Sequence, residues 1–87
     1  MLVRLLYASR AVDTSPAAIE AILTQSRSHN TACGITGILC YGGGTFLQAI
    51  EGGRMAISEL YGHIQRDARH KDVVLLHYCL LYTSDAA

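Results

Sequence analysis

The sequence lacks an excess of charge of either sign: seven Lys and Arg stand against seven Asp and Glu, a formal net charge of zero. Nucleic-acid binders carry a basic stripe, so this balance argues against that class of partner. Charged residues are few, at 16% of the chain, and hydrophobic ones reach 51%, so no disorder signature is present. Cysteine is scarce too. Cys33, Cys40 and Cys79 form no C-x-x-C pair, and an odd count makes no disulfide framework. A reducing cytoplasm is the expected location. Missing as well are a signal-peptide pattern in Met1-Leu-Val-Arg-Leu-Leu-Tyr7 and any apolar run near the ~20 residues that span a bilayer, so no membrane partner is expected. With 87 residues the chain makes one domain at most, burying only ~60–65% of its unfolded surface.

What is present is a clear order of elements. Leu2 to Ala8 reads as a strand, with Val3, Leu5 and Tyr7 on one face and Leu2, Arg4, Leu6 and Ala8 on the other. Asp13-Thr14-Ser15-Pro16 starts a helix, Ser15 as N-cap and Pro16 at the first helical position. Ile19, Ile22 and Leu23 carry the helical period to about Ser28. Gly34 to Tyr41 and Thr45 to Ile50 are strand-like runs joined by Gly42-Gly43-Gly44, a hairpin signal. Ile57, Leu60, Tyr61 and Ile64 mark a second amphipathic helix, in which Gly62 implies close packing or local weakness. Val73 to Cys79 is the last strand.

The order β-α-β-β-α-β predicts an α+β, ferredoxin-like sandwich: a mixed sheet with two helices on one face. Its first and third strands are central neighbours. Tyr7 shares a face with Val3 and Leu5, and Gln48 with Phe46 and Ile50, so Tyr7 and Gln48 lie side by side beneath the helices. The opposite sheet face carries Leu2, Leu6, Ile38, Leu47 and Leu76. It is too apolar to stand bare, and another part of a longer protein or a second copy is expected to cover it.

Several polar residues sit among these apolar ones and require partners. Tyr7 and Gln48 make a complementary donor and acceptor, and a carboxamide can exchange its two ends without backbone movement. Asn30 stands at the end of the first helix, where asparagine is a common cap. Asp67, Arg69 and His70 follow the second helix, where an internal ion pair in a solvated turn explains them as well as a ligand site does. His63, His70 and His77 recur every seventh residue but fall on a helix, a loop and a strand, so no metal site is expected. Gly42-Gly43-Gly44 lacks the Lys-Ser/Thr ending of a phosphate loop. Cys33 can pair with His29, yet no third group completes a nucleophile, and a small buried thiol is the expected state.

Leu5-x-Tyr7-x-Ser9, Asn30 with Gly34-Ile-Thr-Gly37, Phe46-Leu-Gln48-x-x-Glu51-Gly52 and Asp67-x-Arg69-His70 together resemble the BLUF domain, a flavin-binding blue-light sensor, over about residues 2 to 78. The resemblance implies an FAD whose ring lies between the two helices, with Ile22 and Ile64 on either side. It implies Asn30 at the pyrimidine edge, Arg69 with Asp67 and His70 near the carbonyl side, and His29 and Phe46 also among the cofactor-binding residues. Tyr7 would be the electron and proton donor, and Gln48 the amide linking it to the flavin. The implied protein is a light sensor, not an enzyme, serving an unknown downstream protein or fused output domain.

The chain departs from the family at its end. The family continues with a fifth strand bearing a Trp or Met, whereas this chain has no tryptophan, and Leu80 to Ala87 does not resemble that strand. Residues 1–79 are therefore expected to be the domain, and 80–87 an atypical, non-native tail on a truncated chain. An open sheet edge or face then favours weak stability or self-association. The competing expectation is a truncated interaction or oligomerisation module that no longer binds flavin and uses its outer sheet face. An RNA-binding domain of the same topology lacks the basic patch it would need.

Overall fold

The computed structural model describes residues 1–81. Its elements are β1 (Leu2–Ala11), α1 (Pro16–Ala32), β2 (Thr36–Gly42), β3 (Thr45–Gly53), α2 (Arg54–Arg66) and β4 (His70–Leu81), in the expected order. Ser15 caps α1, its Oγ accepting from the Ala18 N–H, while Pro16 takes the first turn, where no N–H is needed. The helix outruns the expected end at Ser28 and closes at Cys33. There Gly34 adopts a φ of +68°, letting the Gly34 and Ile35 N–H groups reach back to the carbonyls of Thr31 and Asn30. Asn30 thus sits in the last turn and not at the cap. Cys33, expected to be buried, is exposed, because a cap residue lies at the solvent end of the helix.

The sheet order is β2-β3-β1-β4. Gly43 and Gly44, both at positive φ, make the turn between β2 and β3. The sheet is not mixed, as expected, but antiparallel between all neighbours. Each crossover does make its two strands parallel, yet a third strand always lies between them: β3 separates β1 from β2, and β1 separates β3 from β4. The boundary expected after residue 79 falls within β4, where Leu80 pairs with Val3 and Leu81 with Leu2; residues 82–87 of the expected tail lie outside the described residues. His70, expected in a loop, opens this strand opposite Ala11.

Both helices pack on the face formed by Val3, Leu5, Tyr7 and Ser9 of β1 and Phe46, Gln48 and Ile50 of β3. The core nevertheless falls into two clusters. Ile57, Leu60 and Ile64 of α2 lie with Val3, Leu5, Tyr7 and Ile50, whereas Ile19 and Ile22 of α1 lie with Ala11 and Phe46. The outer face is open: Ile38 is 69% exposed, and Leu2, Leu47 and Leu76 are exposed with it. Leu76 owes its place to an irregularity. It is the extra residue where the β1–β4 register shifts between Leu6↔His77 and Tyr7↔Leu75.

Candidate functional site: a cavity between the two helices

The split core leaves a cavity of about 480 Å³ bounded by α1, α2 and the sheet. At its floor the antiparallel register sets Tyr7 directly opposite Gln48. Directly opposed residues project to the same face, so the adjacency follows from strand pairing alone. Tyr7 Oη donates to Gln48 Oε1 at 2.6 Å, and Gln48 Nε2 donates to Ser26 Oγ at 3.2 Å. Tyr7 is 1% exposed and Gln48 2%. Burial raises the Tyr7 pKa well above the ordinary phenol value, with further upward contributions from Tyr61 and Asp67. The phenol is therefore held neutral, with its proton directed at the amide oxygen.

At the β4 end of the cavity, Asp67 accepts from the Arg69 backbone N–H at 2.9 Å and pairs with its guanidinium at 2.6 Å. Those hydrogen bonds hold the Asp67 carboxyl down at about 2 and raise the Arg69 pKa. Arg69 Nη1 also donates to Gln25 Oε1 at 2.7 Å, tying this loop to α1. His70 Nδ1 lies 2.8 Å from Ser9 Oγ, and burial pulls its pKa below the usual imidazole value.

Of the residues singled out in the sequence, Tyr7, Gln48, Ile22, Ile64, His29, Asp67, Arg69 and His70 all border this one cavity. Ile22 and Ile64 come from opposite helices. Asn30 and Phe46 are placed elsewhere. Phe46 is fully buried beneath the site, its ring 5.0 Å from those of Tyr41 and His70, and it lines neither this cavity nor the next. Asn30 borders a second cavity, of about 510 Å³, toward β2. Its buried Oδ1 has no hydrogen-bond partner among the described residues. Ser26, Leu39 and Gln48 line both cavities, so the Gln48–Ser26 hydrogen bond and Leu39 form the partition.

Ser26, Gln25, His63 and Arg66 also border the first cavity and were not anticipated. A signal for Ser26 exists. Ile22, Ser26 and Asn30 are spaced i, i+4, i+8, one face of a helix. The same-face rule applied to the polar residue would have found it.

The fold is a ferredoxin-like domain with a cavity of small-molecule size between its helices. The family model described as "BLUF: Sensors of blue-light using FAD" matches residues 2–86, and the chain belongs to that family. It is 41% identical over 59 residues to photoactivated adenylate cyclase subunit beta of Euglena longa, covering 68% of this chain and 7% of that protein. Among solved structures, the dark state of BlrB, a BLUF protein, superposes with a TM-score of 0.85 at 41% identity, covering 94% of this chain and 63% of that one. BlrP1 of Klebsiella pneumoniae, solved with FMN and cyclic diGMP, superposes at 0.83 with 38% identity, covering 95% and 23%. The chain thus spans less than two thirds of each of these relatives, from 7% to 63% of their length. Among the described residues no helix is long and apolar enough to cross a membrane.

Proposed function

We propose that this chain is a blue-light sensor domain that holds a flavin, FAD by preference, in the inter-helical cavity and signals through Tyr7 and Gln48. The observation that carries the reading is the buried 2.6 Å hydrogen bond from Tyr7 to Gln48 at the cavity floor. The donor set fits a flavin. Ile22 and Ile64 offer apolar surface from both sides, and the cavity falls within the ~300–1,000 Å³ of small-molecule sites. The orphaned Asn30 Oδ1 requires a donor, which the imide N–H of the pyrimidine ring supplies. Reaching it requires the Gln48–Ser26 partition to open. Arg69, fixed by Asp67 and Gln25, and His70 would serve the carbonyl side.

A flavin excited by blue light supplies a strong one-electron oxidant. Tyr7 is the oxidisable side chain at the cavity floor. Loss of an electron makes its phenol strongly acidic, and the proton then moves along the existing bond to Gln48 Oε1. Return of the electron and proton to Tyr7 would leave Gln48 either rotated, with its amide ends exchanged, or tautomerised. Ser26 accommodates either orientation, because a hydroxyl both accepts and donates. Either change alters which polar group Gln48 presents to the ring and shifts its absorption.

Purified protein is expected to be yellow and to show a small, reversible red shift under blue light. Tyr7→Phe should keep the flavin and lose the shift. Folded protein that stays colourless after flavin titration would sink the reading, and a Tyr7→Phe variant that photocycles normally would remove Tyr7 from the donor role. The exposed outer face, with Ile38 and Leu47, supports a second reading, an interaction module without flavin. The same titration separates the two. Under either reading this face is the candidate contact for a fused output domain, a separate partner or a second copy. A cytoplasmic location belongs to this proposal and accords with Cys33, Cys40 and Cys79 being free thiols.

A further inference from the structure

Tyr7 has an aromatic neighbour that the proposed switch does not use. On α2, Tyr61 packs against the same core cluster, its ring centroid 5.9 Å from that of Tyr7 and the planes tilted by 56°. This is the range of a direct aromatic contact. Tyr41 and Tyr78 are the other tyrosines of the described residues, and neither ring pairs with Tyr7. The surroundings of the two phenols differ. Tyr7 is almost wholly buried, and its hydroxyl donates to Gln48 Oε1. Tyr61 is only partly buried, and its hydroxyl is not sealed from solvent. It borders neither of the two cavities.

We infer that Tyr61 is an electron relay between Tyr7 and solvent: it refills the hole that light opens on Tyr7 and carries the oxidation to the protein surface. The inference rests on the proposed flavin site and on Tyr7 as its donor. A proton moved from oxidised Tyr7 to Gln48 Oε1 places charge on a buried amide, where it is costly. Tyr61 can release its proton to water instead. The hole is therefore more stable on Tyr61. One electron passes from Tyr61 to oxidised Tyr7, which takes its proton back from Gln48 and is again a neutral phenol. Tyr61 loses its phenolic proton to water and is left as a phenoxyl radical, while the flavin, as the oxidant, keeps the electron it took. Because Tyr61 does not border the cavity, a ring held there oxidises it only by way of Tyr7. A soluble one-electron donor such as ascorbate then restores Tyr61, water returning the proton.

The test illuminates the flavin-loaded full chain with blue light in the presence of a nitroso spin trap and locates the adduct by peptide mass spectrometry. Adduct should form on Tyr61, in the light only, and ascorbate should suppress it. Tyr61→Phe, which keeps the ring beside Tyr7, should lose it. Tyr7→Phe should lose it as well, although Tyr61 is then intact, because no oxidised neighbour stands beside it. A tyrosine that served packing alone would carry no light-dependent adduct. Absence of adduct, adduct confined to other residues, or a Tyr61 adduct that survives Tyr7→Phe would overturn the relay while leaving the flavin site standing. Failure of the folded chain to take up flavin would overturn both.

Discussion

β3 and β4 flank the same strand, β1, and meet very different conditions. β3 pairs with β1 in unbroken register from Leu2↔Gly53 to Arg10↔Thr45 and presents Phe46, Gln48 and Ile50 to the helices, all almost wholly buried. β4 pairs with β1 through two register shifts. Its residues opposite Tyr7, Leu5 and Val3 are Leu75, Tyr78 and Leu80, and these are 46% to 53% exposed although they face the helix side. Of this strand's hydrophobic residues only Val73 packs against the core, near His70, whose ring meets that of Phe46. α2 touches β4 as well, but the helices' buried apolar residues cluster with β1 and β3, and the edge strand is left largely open. A precisely held donor and acceptor pair belongs on the well-packed seam, and that is where Tyr7 and Gln48 are found.

The largest expected effect breaks that seam. Phe46→Ala should cost ~3–5 kcal/mol, enough to unfold much of a domain this small. Leu75→Ala, at a half-exposed site on β4, should cost about 1 kcal/mol. Urea unfolding of both variants checks the contrast; equal losses would show that β4 is as much a part of the core as β3.

Acid should act on the β4 end of the site in two stages. The folded pKa of His70 lies below its unfolded value of about 6.5, so its contribution is intact above that pH and is lost as pH falls through the folded value. Asp67 follows the same sign. Its stabilisation is present above the unfolded value of about 3.9 and disappears as pH falls toward about 2. The pair is partly exposed, so solvent screening keeps this second stage to at most ~1 kcal/mol. Thermal unfolding between pH 7 and 2 reads both stages, and a profile unchanged by Asp67→Asn would remove the second.

The smallest effect concerns α2. Gly62→Ala removes a helix-weakening residue worth up to ~1 kcal/mol and displaces only the flexible tip of Arg66 by a few tenths of an ångström. A gain of roughly half a kcal/mol is expected, and a loss would show that the guanidinium is firmly held over the glycine.

Much of this is legible in the sequence alone. The capping of α1 by Ser15, the glycine hairpin and the amphipathic stripe of α2 are local patterns, and each produced its element. Even Tyr7 beside Gln48 could be deduced, because topology makes β1 and β3 neighbours and alternation fixes which face each residue takes. Other features were not legible. The division between Asn30 and the Arg69 end depends on where Gln48 Nε2 points, and no sequence period encodes a side-chain torsion. The bulge that strands Leu76 arises from the pairing of two strands far apart in the chain. Phe46, placed by its motif among the ligand-binding residues, turned out to support His70 from beneath.

By itself the sequence determined the order of elements, the apolar faces and the residue types available to a flavin, since these follow from short-range periodicity and backbone preference. Only the tertiary structure decided how those residues meet. It split the core into two clusters with a cavity between, left Arg66 over Gly62 with no counter-charge among the described residues, and exposed much of β4. Such outcomes depend on packing and on the competition of distant side chains for the same partners, which no local stretch of chain contains.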